Sequence, residues 1–386
     1  MNIAVLNDAA IIEAGPEARV AATPDTVAGY VKAGHAVTVA KGAGQGATYA
    51  DALYTDAGAQ LSPTNAAAVK AADLVLSVTG GTPALLAKMK AGAGITGVLS
   101  PTDHPDFVAA AAKAGITAFA LDWIPRISRA QAMDVLSSQS NLAGYRSVVE
   151  AASAYGRAFP MMMTAAGTIA PAKVFIMGVG VAGLQAIATA RRLGAVTTAT
   201  DVRPATKEQV ASLGAKFIAV ENEEFVAAET AGGYAKQMSA EYQALQAELT
   251  AAHIAKQDIV VTTALIPGRD APVLVTRAML DTMKPGSVLV DLAVERGGNV
   301  EGSKPGETVT TPITSDGKGG VHIVGHLNWP SRMAADASNM FARNLKNFLP
   351  LVTADDGTYA PDWDDEIIQG CALTRDGAVV HERLKS

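Results

Sequence analysis

Short runs rich in Val, Ile and Leu alternate along this chain with longer, Ala-rich segments in which apolar residues recur at helical spacing. In the first third the runs are Ile3–Leu6, Ala36–Ala40, Leu74–Val78, Ile95–Leu99 and Ile116–Leu121. Apolar runs set between helical segments predict a parallel sheet buried on both faces and wrapped by crossover helices. Thr23 followed by Pro24 predicts a helix start, because the threonine can cap and proline suits the first turn. A second series of runs follows: Lys173–Met177, Ala195–Val202, Lys216–Val220, Asp258–Ala264, Ser287–Val294 and Val321–Gly325. Pro330–Leu349 then reads as an amphipathic helix that brings the end of the chain back onto the first domain.

Between the first two runs of the second series the chain reads Gly178-x-Gly180-x-x-Gly183, a tight turn between a buried strand and a helix. Such a turn offers unpaired N–H groups and the positive end of a helix dipole to a pyrophosphate, and glycine lets the phosphate approach. Gly178, Gly180, Val181, Ala182 and Gly183 are the candidate cradle. Asp201 ends the next strand, about 20 residues on, where a carboxylate binds a ribose 2′-hydroxyl. Val202 and Arg203 join the set; Asp201 favours NAD over NADP, whereas Arg203 can accommodate a 2′-phosphate. Ala264 and Leu265, ending a later strand on the nucleotide side, are further candidates, as is Gln246. The first domain has no such glycine fingerprint.

The fold class expected is α/β, with two Rossmann-like doubly wound parallel-sheet domains flanking a cleft. Residues 1–135 plus 326–386 form the first, discontinuous domain; residues 136–325 form the dinucleotide-binding one, with a mobile loop near 221–240.

Polar side chains are densest at Arg126-Ile-Ser128-Arg129-Ala-Gln131-Ala-Met-Asp134-Val-Leu-Ser137. Ser128 can cap a helix with Gln131 and Asp134 on one face, and the stretch reads either as a solvated helix start or as a polar loop at the cleft mouth. Gly232, Gly233 and Tyr234 interrupt an acidic helical segment, as a solvated insertion or as a mobile lid hinged on the glycines. Arg19 is either a solvated loop residue or an anion contact.

Bulk properties narrow the partners. The charge is −6 without a basic block, which argues against nucleic acid, and the single Cys371 can form neither an internal disulfide nor a thiolate cluster. A reducing cytoplasm is the simplest setting. The opening Met1–Leu6 is too short and uncharged for a signal peptide, and the apolar stretch Val174–Ala190 carries three glycines and Gln185, so no membrane insertion is expected.

Pro125–Arg146, Arg157–Thr168, Gly178–Ala188 and Thr230–Lys236 together resemble the NAD(H)-binding domain I of proton-translocating nicotinamide nucleotide transhydrogenase, nearly continuously from Pro125 to Leu349. The resemblance implies that NADH bound here passes hydride directly to NADP⁺ on a separate domain III, with si-specific/re-specific chemistry, while a membrane domain II couples the exchange to proton translocation. It implies that Arg126, Gln131, Asp134 and Ser137 hold the nicotinamide, that Tyr234 lies on a mobile loop, and that domain I is a homodimer. With no membrane span and a chain ending at Ser386, domains II and III are expected on other chains, and the protein in the cytoplasm, peripheral to the inner membrane.

The related alanine dehydrogenases are the alternative. That family holds its keto acid with a lysine after one early strand and a histidine after the next; here those places read Thr79 and Ser100, with His104 four positions on. A regulatory NAD sensor is a third reading, disfavoured because sensing has little use for a polar grip on nicotinamide.

Overall fold

The computed structural model describes residues 1–11, 17–227, 238–266 and 268–385. The chain divides into two units, Met1–Gln139 with Pro330–Ser386, and Ser140–Trp329. In the first, strands β1 (Asn2–Val5), β2 (Ala36–Ala40), β3 (Gln60–Ser62), β4 (Leu74–Leu76), β5 (Gly94–Gly97) and β6 (Thr117–Ala120) make one parallel sheet in the order β3-β2-β1-β4-β5-β6. This is a doubly wound order, and the chain reverses direction across the sheet between β1 and β4. Strand alternation sends Ile3, Val5, Leu74 and Leu76 to one core, and Ala4, Val75, Ile95 and Ala118 to the other. Both faces are therefore dry, as the unbroken apolar runs require.

In the second unit an exposed hairpin, β7 (Met162–Thr164) and β8 (Gly167–Ile169), precedes a seven-stranded sheet. Its strands are β9 (Lys173–Met177), β10 (Val196–Thr200), β11 (Lys216–Phe217), β12 (Ile259–Thr262), β13 (Val288–Asp291), β14 (Thr308–Thr310) and β15 (His322–Val324), ordered β11-β10-β9-β12-β13-β15-β14. Only β14 runs antiparallel, at the edge. Val174, Ile176 and Val261 face one core, Phe175, Met177 and Val260 the other.

Observed strands are one to several residues shorter than the apolar runs, because the runs continue into buried strand-end loops. The sequence pattern overlooks β3, the β7–β8 hairpin and β14. Each is short, and its exposed or polar side chains leave no apolar run.

The helix Pro24–Lys32 begins as expected: Thr23 and Thr26 form a reciprocal capping box behind Pro24. The expected helix Pro330–Leu349 is instead a 3₁₀ turn over Trp329–Met333 followed by the helix Ala334–Phe348, which buries Phe341, Leu345 and Phe348 in the first unit's core. A short helix, Glu366–Cys371, and a hairpin of β16 (Thr374–Arg375) and β17 (Ala378–Val379) complete that unit. Cys371 is fully buried, and burial pushes its thiol far above the ordinary range.

Candidate functional site

In the second unit β9 ends at the switch point, beside β12 on one side and β10 on the other. Gly178 has φ 98°, and an added Cβ would lie 2.6 Å from Thr263 Oγ1. At Gly183 a Cβ would run into the carbonyl oxygen of Gly178. These two glycines are required by the turn itself. Gly180 differs, because its backbone (φ −81°, ψ −166°) suits any residue and a Cβ there would meet nothing within 4 Å. Open space thus lies at the N-terminus of the helix Val181–Arg192, which has no side-chain cap. The first N–H groups of that helix, Val181 and Ala182 among them, and the positive end of its dipole are what a pyrophosphate requires. The residues present fit a dinucleotide.

Asp201 follows β10 directly. Its carboxylate accepts hydrogen bonds from the Val179 N–H (2.7 Å), the Arg203 N–H (2.9 Å), Arg203 Nε (2.8 Å) and Arg203 Nη2 (2.9 Å). Arg203 Nη2 also donates to the Val179 carbonyl oxygen at 3.1 Å. The carboxylate therefore fastens the Gly-rich turn, and the charge of Arg203 is neutralised in place. Hydrogen bonding to Asp201 raises the Arg203 guanidinium further above its already high ordinary pKa. Val202 beside them is 62% exposed.

Across the switch point the Thr263 N–H donates to the Met177 carbonyl oxygen (2.9 Å), and its hydroxyl to that of Gly178 (3.0 Å). Ala264 is held from both ends: its N–H donates to Asn299 Oδ1 (3.0 Å) and its carbonyl accepts from Asn299 Nδ2 (2.9 Å). Asn299 is anchored by the fully buried Asp291, which accepts from the N–H groups of Ala293, Asn299 and Val300. Leu265, next in the chain, is 53% exposed. Gln246 accepts from the Val220 N–H at 2.9 Å and lies 3.4 Å from Thr200 Oγ1, so it ties down the chain beyond β11 next to Asp201. Gly233 and Tyr234, and with them the expected lid, lie outside the described residues.

In the first unit Ser128–Met133 is a 3₁₀ turn without a side-chain cap, so Ser128 is not the helix cap the sequence suggested. Asp134 caps the helix Val135–Ala154: its Oδ1 accepts from the Ser137 N–H at 2.8 Å and its Oδ2 from the Ser137 hydroxyl at 2.5 Å. The reason is local geometry, since the 3₁₀ turn ends at Met133 and the first free N–H groups belong to Val135, Leu136 and Ser137. Asp134 and Ser137 are thus one unit, while the exposed side chains of Arg126 and Gln131 make no hydrogen bond or ion pair with any described residue.

Arg129 points elsewhere. It forms a two-pronged pair with Asp365 (2.5 and 2.8 Å), which fastens the loop to the helix Glu366–Cys371. The guanidinium holds the Asp365 carboxyl below the ordinary carboxylate range. On the loop's other side Asn344 Nδ2 donates to the Ala132 carbonyl (2.9 Å), and Asn344 Oδ1 accepts from Ser138 Oγ (2.8 Å), bracketing Asp134. Arg19 is buried, paired with Glu17 at 2.6 Å and donating to Gln139 Oε1 at 2.9 Å.

Sequence reasoning missed Asn344, Thr263, the Asp291–Asn299 pair and Gly144, where a Cβ would run into the Ala182 carbonyl oxygen. A signal existed for two of them: Gly144 interrupts a helical pattern, and Gly297-Gly298, both at positive φ, precede Asn299.

A doubly wound sheet with a Gly-rich turn and a terminal Asp defines a Rossmann-type dinucleotide-binding unit. A family model described as Alanine dehydrogenase/PNT, N-terminal domain, matches residues 11–143, and one described as Alanine dehydrogenase/PNT, C-terminal domain, matches residues 147–382. The chain is 53% identical over 375 residues to the first of the separately encoded pieces of NAD(P) transhydrogenase subunit alpha from Rhodospirillum rubrum, covering 95% of this chain and 96% of that one. It is 31% identical over 298 residues to the alanine dehydrogenase of Mycobacterium tuberculosis, covering 75% and 72%. A crystal structure of transhydrogenase from Sinorhizobium meliloti matches with a TM-score of 0.86 at 51% identity, covering 98% of this chain and all (100%) of that one. The chain belongs to the alanine dehydrogenase/PNT family.

Proposed function

We propose that this chain is the NAD(H)-binding component of a transhydrogenase, exchanging hydride directly between NADH bound here and NADP⁺ held by a partner domain III. A membrane domain II on a further chain couples that exchange to proton translocation. The carrying observation is the second unit's turn, with Gly180 open, the helix uncapped and Asp201 beneath it. The 53% identity to a chain named as a transhydrogenase subunit supports the reading.

When bound, the dihydronicotinamide supplies the hydride, and no substrate proton has to be removed. The protein's task is then position and dryness rather than general-base catalysis. The N–H groups of Val181 and Ala182 receive the pyrophosphate, approached over Gly180. Asp201 takes the adenosine ribose by exchanging hydrogen bonds now made to Arg203, with Val202, Leu265 and Ala264 alongside and Gln246 steadying the strand ends. Arg126, Gln131 and Ser128 offer donors without a partner among the described residues to the nicotinamide carboxamide. Asp134 aims Ser137, Arg129 holds the loop from behind, and Gly233 and Tyr234 close over the ligand.

A keto-acid reaction is disfavoured. The ends of β4 and β5 carry Thr79 and Ser100, and the buried Asp8 fills the end of β1, accepting from Ser77 Oγ (2.6 Å), the Val78 N–H (3.0 Å) and Thr79. No helix among the described residues is long and apolar enough to cross a membrane, which fits a peripheral component. The β7–β8 hairpin, with Met161, Met162, Met163 and Ile169 all exposed, suits burial in a homodimer. The test is a titration of the purified chain with NADH, followed by addition of pyruvate and ammonia: saturable binding without NADH oxidation is expected. Steady turnover of the keto acid would overturn the reading.

A further inference from the structure

The two sheets share the strand order around their first strand, so positions at their carboxyl ends correspond by register. In the second unit Met177 pairs with Thr200, which sets Gly178 beside Asp201. In the first, Val5 pairs with Val39, which sets Asn7 beside Lys41, and Asn7 Nδ2 donates to the Lys41 carbonyl at 2.9 Å. Lys41 therefore stands where the ribose-binding carboxylate stands in the other unit.

A groove of about 590 Å³ lies over the carboxyl ends of β1, β2 and β3, a volume in the range of small-molecule sites. Ligands of open α/β sheets bind outside the carboxyl ends of the strands, next to the reversal of strand order. Ile11, Ala40 and Leu85 give the groove an apolar lining. Lys41 and Lys88 also line it, and no Asp or Glu among the described residues does. Neither lysine forms an ion pair with a described residue. Two unopposed ammonium groups above an apolar surface, in a chain of net charge −6, select an anion with a flat apolar body.

We propose that this groove is a second ligand site, for a nucleoside 2′-phosphate: the base on Ile11, Ala40 and Leu85, the phosphate between Lys41 and Lys88. A lysine in the carboxylate's place exchanges preference for free ribose hydroxyls for a phosphorylated ribose. The turn after β1 holds Asp8 where the other unit has its glycine cradle, so it offers nothing to a pyrophosphate, and the ligand is a mononucleotide.

The test is isothermal titration of the full chain with adenosine 2′-phosphate and, separately, inorganic phosphate, using wild type, Lys41→Glu, Lys88→Ala and Asp201→Ala. Expected is saturable binding of one nucleotide per chain, weakened at least about tenfold in each lysine variant, unchanged in Asp201→Ala and tighter than inorganic phosphate. Binding lost in Asp201→Ala would assign the nucleotide to the other unit and overturn the proposal. So would indifference to both lysine variants, equal affinity for inorganic phosphate, or no binding. Because the result turns on Lys41 and Lys88, it is independent of whether hydride transfer occurs.

Discussion

Three glycines in one turn serve two different ends. Gly183→Ala forces a methyl group into the Gly178 carbonyl, so it should cost about 3 kcal/mol or more and lower the melting temperature sharply. Gly180→Ala meets nothing within 4 Å, so the fold should hold while NADH affinity drops at least about tenfold in a fluorescence titration. Equal melting losses in the two variants would contradict this division. Asp201→Ala removes a charge-assisted hydrogen bond to ribose, about 1.5–3 kcal/mol or roughly 10- to 100-fold in NADH affinity. It also frees Arg203, now held at 2.8 Å, so discrimination against NADPH should relax. Unchanged affinity for both nucleotides would take Asp201 out of the site. Asp134→Asn can keep one bond to Ser137 but not both as made here; hydride transfer should slow far more than NADH affinity falls, measured by stopped flow against equilibrium titration. At this scale much was legible, because Gly178, Gly180, Gly183 and Asp201 announce themselves by spacing. The Asp201–Arg203 clasp was not, since sequence places the two residues near each other without saying that one neutralises the other.

Among elements, the loop from Arg126 to Ser137 depends most on distant parts of the chain. It reads as polar in sequence, but the side chains that fix it, Asn344 and Asp365, come from more than 200 residues later, and no local pattern points to them. The same distance effect hid Asn299, whose role depends on packing against the end of β12. Alternation of apolar runs made nearly all of the parallel strands visible, whereas edge strands and the exposed hairpin lack a buried face and so leave no signature. The Arg129–Asp365 pair yields a pH prediction. Asp365's carboxyl is held below its ordinary value of 3.8 chiefly by Arg129, so its stabilisation is fully present above that value and is lost as pH falls through the lowered pKa. Arg129→Gln should therefore melt modestly below wild type at pH 7, and the gap should narrow as the pH falls through the carboxylate range. A gap that stays constant across that range would show that the pair is not its source.

For the whole molecule, the sequence led from Rossmann spacing to a family resemblance, and the family models covering residues 11–143 and 147–382 bear that resemblance out. What chemistry the chain performs depends on a partner that no residue here encodes, and for that reason the decisive measurement is made on a mixture. Purified chain with bound NADH is combined with a domain III loaded with NADP⁺, and nicotinamide oxidation is followed optically with and without that partner. NADPH should form rapidly at the expense of NADH only when both proteins are present, and Asp134→Asn should lose most of that rate. NADH that stays reduced beside the loaded partner would contradict direct hydride exchange.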